Sequence, residues 1–224
     1  MSLRALIFDF DGLIVDTESA IYDAWREVYD DHGHELELST YADCVGSDHG
    51  QFDPMQHLDS LVGKRLDWDT LEPRKEARIR ELLEDQQALP GVRELLTAAA
   101  GENLACAVAS SSSLSWVGGW LDKLELDHHF EIVRTRDHVE RIKPHPDLFL
   151  AAADGLGVAP ANAVVFEDSE NGLRAAQAAG IYCVAVPNQI TSAGAFPGAA
   201  MRLDSLADLE LDSIRGLFEA PSGT

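Results

Sequence analysis

Four acidic side chains lie close together near the start of the chain. They are Asp9, Asp11, Asp16 and Glu18, in the segment FDFDGLIVDTE. The residues before them, LRALIF, form an apolar run that is typical of a buried strand in a parallel sheet. Two carboxylates spaced i, i+2 place their side chains on one face of an extended segment. Such a pair suits phosphoryl transfer, in which one carboxylate attacks phosphorus and the other moves protons.

Further polar groups follow later predicted strands. The set consists of Ser110, Ser111 and Ser112 after LACAVA, Glu167 and Asp168 after NAVVF, and Lys143 in the loop RIKPHPD. In a doubly wound parallel sheet, groups at the carboxyl ends of the strands converge on one edge. Clustered carboxylates repel one another and burial raises their pKa values, and a hard divalent cation such as Mg²⁺ relieves both effects. We therefore predict a Mg²⁺ site that binds a phosphate, with Lys143 as a second positive charge and serine hydroxyls as donors.

The elements that position these groups are predicted from the order of apolar segments. From about residue 89 onward the chain alternates strand-like and helix-like segments, which predicts βαβ units. The fold class is therefore α/β, a Rossmann-like doubly wound parallel sheet. A block of roughly 70 residues with helical texture interrupts the first βα connection and is too long for a loop. We predict a catalytic core at 1–15 and 89–224 and an inserted helical cap domain at 16–88.

Composition restricts the classes of partner. A formal net charge of −22 opposes binding to nucleic acid and to anionic membranes. No segment approaches the roughly 20 apolar residues of a membrane span. The cysteines Cys44, Cys106 and Cys183 are far apart and show no metal-binding spacing, which is typical of a reducing compartment. We expect a cytoplasmic monomer that acts on a small phosphorylated metabolite, since no apolar stripe remains once the core is assigned.

Four segments resemble, in order and spacing, the motifs of the haloacid dehalogenase-like superfamily. They are DFDG at 9–12, the strand-end Ser110, Lys143 before Pro144, and the pair Glu167 and Asp168. The resemblance covers nearly the whole chain, and the four motifs are specific as a set, although an isolated DxD is not. Within the superfamily the chain is similar to the group with a small helical cap, which includes beta-phosphoglucomutase and many sugar-phosphate phosphatases.

The resemblance implies a role for each acidic residue of the predicted site. Asp9 would be the nucleophile and, with Asp168, a ligand of Mg²⁺. Asp11 would be the general acid and base, and its backbone carbonyl would bind the metal. Glu167 would bind the metal directly or through water. The resemblance therefore implies that, at the end of the first strand, Asp9 attacks phosphorus and Asp11 carries the proton.

The phosphoryl group would be held by the remaining motif residues. Ser110 and Lys143 would bind it, and Ser111 and Ser112 would offer it further donors. Gly12 has no Cβ, so its backbone can approach the phosphate closely.

Three residues of the predicted cap segment are candidate substrate contacts. His49 lies in the loop VGSDH, which resembles the specificity loop of the family, and Lys75 resembles a cap cation that reaches the cleft. Glu18 resembles the acid of the DTE sequence common among phosphatases of this group. Lys75 is equally well explained as a solvated helix lysine, and Asp16 as a cap of the helix that begins near Thr17.

The predicted reaction is Mg²⁺-dependent hydrolysis of a phosphate monoester, with a sugar or polyol phosphate as the expected substrate class. The alternative is a phosphosugar mutase of the beta-phosphoglucomutase type. That enzyme has an arginine, a histidine and an asparagine where this chain has His49, Ile21 and Leu114. These departures favour hydrolysis. Dehalogenation is disfavoured because that chemistry needs neither the second aspartate nor Mg²⁺.

Overall fold

In the described part of the chain, six parallel strands form a single sheet in the order β3-β2-β1-β4-β5-β6. The structure, a computed structural model, describes residues 2–42 and 52–218. The strands are β1 (Ala5–Phe8), β2 (Ala105–Ala109), β3 (Ile132–Arg134), β4 (Ala163–Glu167), β5 (Tyr182–Ala185) and β6 (Met201–Arg202). The predicted α/β doubly wound class is confirmed. The chain order reverses at β1, whose neighbours are β2 and β4, so ligands are expected beyond its carboxyl end.

Helices surround the sheet and fill the first connection. They are α1 (Glu18–Asp31), α2 (Leu38–Tyr41), α3 (Pro54–Val62), α4 (Trp68–Leu82), α5 (Val92–Gly101), α6 (Leu114–Lys123), α7 (Asp147–Gly155), α8 (Glu170–Ala179) and α9 (Leu211–Gly216). The segment LEPRKEARIRELLEDQQ predicts a helix over residues 71–87, whereas α4 begins at Trp68 and ends at Leu82. The Lys123 Nζ donates to the carbonyls of Leu83 and Glu84, at 3.1 and 2.7 Å, and so satisfies carbonyls that a longer helix would have bonded.

Both faces of the sheet are buried, which explains the unbroken apolar run of β1. Leu6 and Phe8 pack on one face with residues of α5 and α6, such as Leu95. Ala5 and Ile7 pack on the other face with residues of α7 and α8. Asp9, the next odd-numbered residue, follows the alternation toward the α7 and α8 face.

The helices α1 to α4 share a separate cluster of buried aromatic and aliphatic side chains. Its members include Trp25, Tyr29, Leu58 and Trp68, and Ile190 joins them from the chain after β5. These helices occupy the segment predicted as a cap, and its boundaries at 16 and 88 stay a prediction. None of the helices in the described part of the chain is both long and apolar enough to cross a membrane. The predicted contact His49 lies outside the described residues.

Candidate active site

Asp9 and Glu167 are brought side by side by the register of the sheet. Phe8 of β1 pairs with Phe166 of β4, so the residue after each of them stands at the same level. The backbone N–H of Asp9 donates to the carbonyl of Phe166 at 3.0 Å, which extends the pairing to the strand end. Neighbouring strands lie about 5 Å apart. Two buried carboxyl groups therefore face the same side of the sheet at short range.

Lys143 joins the two carboxylates. Its Nζ lies 2.5 Å from Asp9 Oδ1 and 2.5 Å from Glu167 Oε1, and its side chain is 1% exposed. Burial by itself lowers the pKa of Lys143, but the two carboxylates raise it above its ordinary value. The ammonium also lies 4.8 Å from the centre of the Phe149 ring on α7. Lys143 is therefore a buried cation that is held between Asp9 and Glu167.

The donor set fits a hard divalent cation. Asp9, Glu167 and Asp168 are buried and offer carboxylate oxygens that lie within 4.8 Å of one another. Burial and the charge of Glu167 raise the pKa of Asp9 to about 7, and the same two causes raise the pKa of Asp168 well above its usual range. One lysine does not offset three carboxyl groups at this range. Mg²⁺, which prefers oxygen ligands, would supply the missing positive charge.

Glu167 is held by the start of helix α8. Ser169 donates to Glu167 Oε2 from its backbone N–H and from its hydroxyl, both at 2.9 Å. The same hydroxyl accepts from the backbone N–H of Gly172 at 3.1 Å, so Ser169 also caps the helix. A Cβ on Gly172 would lie 1.8 Å from the Glu167 carboxylate, so only glycine leaves room for that carboxylate.

Asp168 is held by an asparagine that follows β5. Asn188 Nδ2 donates to Asp168 Oδ2 at 2.7 Å and to the carbonyl of Gly12 at 3.2 Å. Its Oδ1 accepts from the backbone N–H groups of Ile190 and Thr191, at 2.8 and 3.1 Å, which fixes the amide in a tight turn. Asn188 therefore orients a candidate metal ligand.

Gly12 has a structural reason to be glycine. Its φ of +79° is in the left-handed region, and a Cβ there would lie 2.3 Å from Asp168 Oδ2. Gly12 does not line the cavity at Asp9 but a neighbouring one, together with Asn188. Its predicted contact with the phosphate stays a prediction.

Asp11 accepts hydrogen bonds on both carboxylate oxygens. Oδ1 accepts from Thr17 Oγ1 and from Trp116 Nε1, both at 2.8 Å. Oδ2 accepts from Ser112 Oγ at 2.6 Å and from Ser110 Oγ at 3.3 Å. The serine segment after β2 and helix α6 therefore position this carboxylate from the core side.

Asp9, Asp11, Lys143 and the serines after β2 border a cavity of about 350 Å³ between the sheet edge and the helical segment. It is lined by Asp9, Asp11, Glu18, Ile21, Trp25, Tyr41, Asp53, Pro54, Met55, Glu72, Lys75, Ser110, Ser111, Ser112, Arg136 and Lys143. Burial, and then the charges of Asp11 and Asp9, raise the pKa of Glu18 to about 8. Lys75 lines the cavity, but its Nζ is 2.8 Å from Glu72 Oε1 and 3.7 Å from the centre of the Trp25 ring, so its charge is already paired.

The structure thus brings together most of the residues singled out in the sequence. Asp16 accepts from the backbone N–H of Ser19 at 3.1 Å, in agreement with a helix-capping role. Sequence reasoning missed Trp116, Asn188 and Arg136. Asn188 could have been predicted, because it is a polar residue just beyond a predicted parallel strand. Trp116 carried no such signal, because an aromatic residue within an apolar helix pattern reads as core.

The chain is similar in sequence to known phosphatases and in fold to solved structures. The chain is 43% identical over 209 residues to YhcW of Bacillus subtilis, covering 93% of this chain and 94% of that protein. It is 36% identical over 182 residues to the fructose-1-phosphate phosphatase YqaB of Escherichia coli, covering 81% and 95%. A crystal structure of beta-phosphoglucomutase from Clostridium difficile superposes with a TM-score of 0.75 at 25% identity, covering 96% of each chain.

A family model described as haloacid dehalogenase-like hydrolase matches residues 6–186. The match includes β1 with Asp9, the loop with Lys143 and the strand end with Asp168. The expected resemblance is confirmed, and the chain belongs to the haloacid dehalogenase-like hydrolase family.

Proposed function

We propose that the protein is a Mg²⁺-dependent phosphatase that hydrolyses a small phosphate monoester through an aspartyl-phosphate intermediate. The observation that carries the proposal is the buried ion pairing of Lys143 with Asp9 and Glu167, next to Asp168. A second carboxylate, Asp11, lines the same cavity as Asp9. A charged nucleophile, a fixed cation and a proton carrier are the groups that phosphoryl transfer requires.

In the first half-reaction Asp9 attacks phosphorus and Asp11 gives a proton to the leaving oxygen as its bond to phosphorus breaks. Lys143 and the Ser110 hydroxyl hold the phosphoryl oxygens. Mg²⁺ bound by Asp9, Asp168 and the Asp11 carbonyl would supply positive charge that offsets the phosphate dianion. Glu167 already accepts from Lys143 and Ser169, so its part is to orient Lys143, and it would contribute to holding the metal through water.

In the second half-reaction a water molecule attacks the phosphorus of the aspartyl phosphate. Asp11, now ionised, accepts a proton from this water as the new bond to phosphorus forms. The bond from phosphorus to Asp9 breaks, the Asp9 carboxylate is restored, and inorganic phosphate leaves. Asp11 ends the cycle protonated, ready for the next leaving group.

The substrate class we propose is a sugar or polyol phosphate. The cavity beyond the carboxylates combines apolar and aromatic walls, such as Trp25 and Tyr41, with the carboxyl group of Glu18 and with Lys75. Acidic groups accept from substrate hydroxyls, and a volume of about 350 Å³ suits a small ligand. The relative YqaB is named as a fructose-1-phosphate phosphatase, which supports the same class. Movement of helices α1 to α4 as a cap would admit the substrate and exclude bulk water.

The test is release of inorganic phosphate from a panel of sugar, polyol and nucleotide monophosphates, with Mg²⁺ and with EDTA. We expect metal-dependent release from a subset that is rich in sugar or polyol phosphates. Asp9→Asn should lower kcat at least about 10³-fold because the nucleophile is lost. The control Asp127→Asn changes an aspartate whose side chain is 69% exposed and should leave kcat unchanged. Retained activity of Asp9→Asn would refute the assignment of Asp9 as the nucleophile.

The mutase alternative is tested with the same preparation. Isomerisation of a hexose 1-phosphate in the presence of a bisphosphate primer, without phosphate release from any ester, would replace the proposed hydrolysis. Ile21, which stands where the mutase has a histidine, lines the cavity with an apolar side chain. This supports hydrolysis over a cap that reorients a bisphosphate.

A further inference from the structure

Trp116 is bonded to the general acid and base that we propose. From helix α6 its indole Nε1 donates to Asp11 Oδ1 at 2.8 Å, and Thr17 Oγ1 donates to the same oxygen at 2.8 Å. The other oxygen, Oδ2, is contacted by the hydroxyls of Ser112 and Ser110, at 2.6 and 3.3 Å. The two oxygens of one carboxylate therefore have chemically different neighbours.

The indole is fixed in place by its surroundings on α6. The Trp116 ring packs edge to face on the Trp120 ring, with centroids 6.1 Å apart and planes at 72°. Lys123 Nζ lies 4.3 Å from the centre of the Trp120 ring and also donates to the carbonyls that follow α4. The indole N–H therefore points at Asp11 while its ring packs edge to face against Trp120.

The kinds of donor distinguish the two oxygens. An indole N–H can only donate, whereas a serine hydroxyl can turn and either donate or accept. A proton on Oδ1 would weaken the bond from the indole N–H, which cannot turn to accept it, and would leave the Thr17 hydroxyl as its one acceptor among these two neighbours. A proton on Oδ2 is tolerated, because the Ser112 hydroxyl can rotate to accept it.

We propose that Trp116 is a positioning residue that anchors Asp11 through Oδ1 and reserves Oδ2 as the oxygen that gives and takes the proton. This inference rests on the proposed phosphatase function. When the ester bond breaks, its electron pair stays on the leaving oxygen, which takes the proton from Oδ2. When water attacks the aspartyl phosphate, Oδ2 takes a proton from that water. Oδ1 stays bonded to the indole in both half-reactions.

The substitution Trp116→Phe tests the inference because it removes the N–H and keeps an aromatic ring on Trp120. The measured quantity is kcat/KM for two esters, an alkyl phosphate and p-nitrophenyl phosphate. An alkoxide needs a proton in order to leave, whereas nitrophenolate does not. We expect kcat/KM to fall about tenfold or more for the alkyl ester and to stay within about twofold for the aryl ester. Thr17→Val, which removes the second donor to Oδ1, should show the same bias.

Two comparisons keep the result specific. Trp120→Phe changes the neighbouring ring and leaves the indole bond to Asp11 in place, so any loss it causes should be equal for both esters. Asp11→Asn removes the general acid and base, so it gives the largest expected difference between the losses of kcat/KM for the two esters. An equal loss for both esters in Trp116→Phe, or no loss for either, would overturn the positioning role.

A readout independent of turnover separates this inference from the proposed function. In protein labelled with ¹⁵N-tryptophan, the indole resonance that Trp116→Phe removes should shift in Asp11→Asn, because its acceptor changes from a carboxylate to an amide. If the wild-type protein hydrolyses neither these two esters nor any ester of the phosphate panel, the proposed function fails, and the resonance still tests the contact. An indole resonance that does not move in Asp11→Asn would overturn the contact itself.

Discussion

Many residues of this site act by holding the charged groups of other residues in position. Lys143 is held between two carboxylates, Asp11 accepts from four donors, and Asp168 accepts from Asn188. These contacts fix the positions of the reacting groups before any substrate enters, which is how preorganised sites lower a reaction barrier.

Removal of the Asn188 donor should weaken the metal site. In Asn188→Ala, Asp168 loses a hydrogen bond of 2.7 Å and the orientation that it imposes. Partners of this kind typically contribute 10- to 100-fold to metal affinity, so we expect the Mg²⁺ concentration for half-maximal activity to rise about tenfold or more. The KM for the ester should change little.

The measurement is a titration of activity with Mg²⁺, together with the midpoint of thermal unfolding as a function of Mg²⁺. The second readout detects metal binding without turnover. The control is Asn162→Ala, which alters an asparagine in the turn before β4, away from the cavity. An unchanged Mg²⁺ dependence in Asn188→Ala would show that Asn188 stabilises only the turn after β5 and does not orient Asp168.

At the scale of elements, the start of helix α8 stabilises the site and the helix together. Ser169 caps α8 and donates to Glu167, and Gly172 in the first turn makes room for the same carboxylate. Negative charge at a helix N-terminus is also stabilised by the helix dipole. The motif EDSENG therefore combines a strand end, a helix cap and a close approach within six residues.

The substitution Gly172→Ala tests the close approach of helix α8 to the Glu167 carboxylate. Its Cβ would lie 1.8 Å from the Glu167 carboxylate, so the carboxylate or the helix must move. We expect a loss of about 1–3 kcal/mol in the free energy of unfolding, measured by chemical denaturation, and a fall in kcat. The matched control is Gly119→Ala on α6, where nothing lies within 4 Å of the added Cβ. That variant should be neutral or more stable by up to about 1 kcal/mol, because alanine favours a helix. Equal effects of the two substitutions would contradict the close approach.

At the scale of the whole molecule, the chain concentrates negative charge around a site for an anion. The net charge is −22, and the cavity itself is lined by several carboxylates. Long-range attraction therefore does not bring a phosphate to this protein. Local positive charge from Lys143, and from the metal that we propose, must outweigh the negative electrostatic potential of the whole chain.

This arrangement predicts how stability depends on pH without metal. Burial raises the pKa of Asp9 to about 7 and that of Glu18 to about 8, both above the values of an unfolded chain. Between about pH 4 and pH 8 the folded state thus binds more protons than the unfolded state, so stability falls as pH rises. In EDTA we expect the free energy of unfolding to be lower at pH 8 than at pH 5.

Mg²⁺ should reverse this trend because it replaces the protons. The increase in unfolding temperature caused by Mg²⁺ should be larger at pH 8 than at pH 5, measured by calorimetry in matched buffers. Glu18→Gln should flatten the pH dependence in EDTA while keeping the Mg²⁺ effect. A Mg²⁺ stabilisation that is the same at both pH values would contradict the role of the raised carboxyl pKa values.

The sequence by itself determined the class of fold and the chemistry of the strand ends. Unbroken apolar runs such as LRALIF predict strands buried on both faces, and polar residues directly after them must meet at one edge of a parallel sheet. Asp9, Ser110 and Asp168 were therefore predicted at this edge from the ends of their strands, whereas Lys143 was predicted from its loop and from the family resemblance. The two-residue strand β6 was not, because a segment that short carries no periodicity.

Only the tertiary structure decided which side chains hold these groups in place. Trp116 lies 105 positions after Asp11, and Asn188 lies 20 positions after Asp168. Each contact depends on how a helix or a loop packs on the sheet and not on any local preference. The physical reason for glycine at 172 was equally unreadable, because that reason is the position of the Glu167 carboxylate. Local pattern specifies elements and their ends, whereas contacts between distant segments arise from packing, which a single sequence does not display.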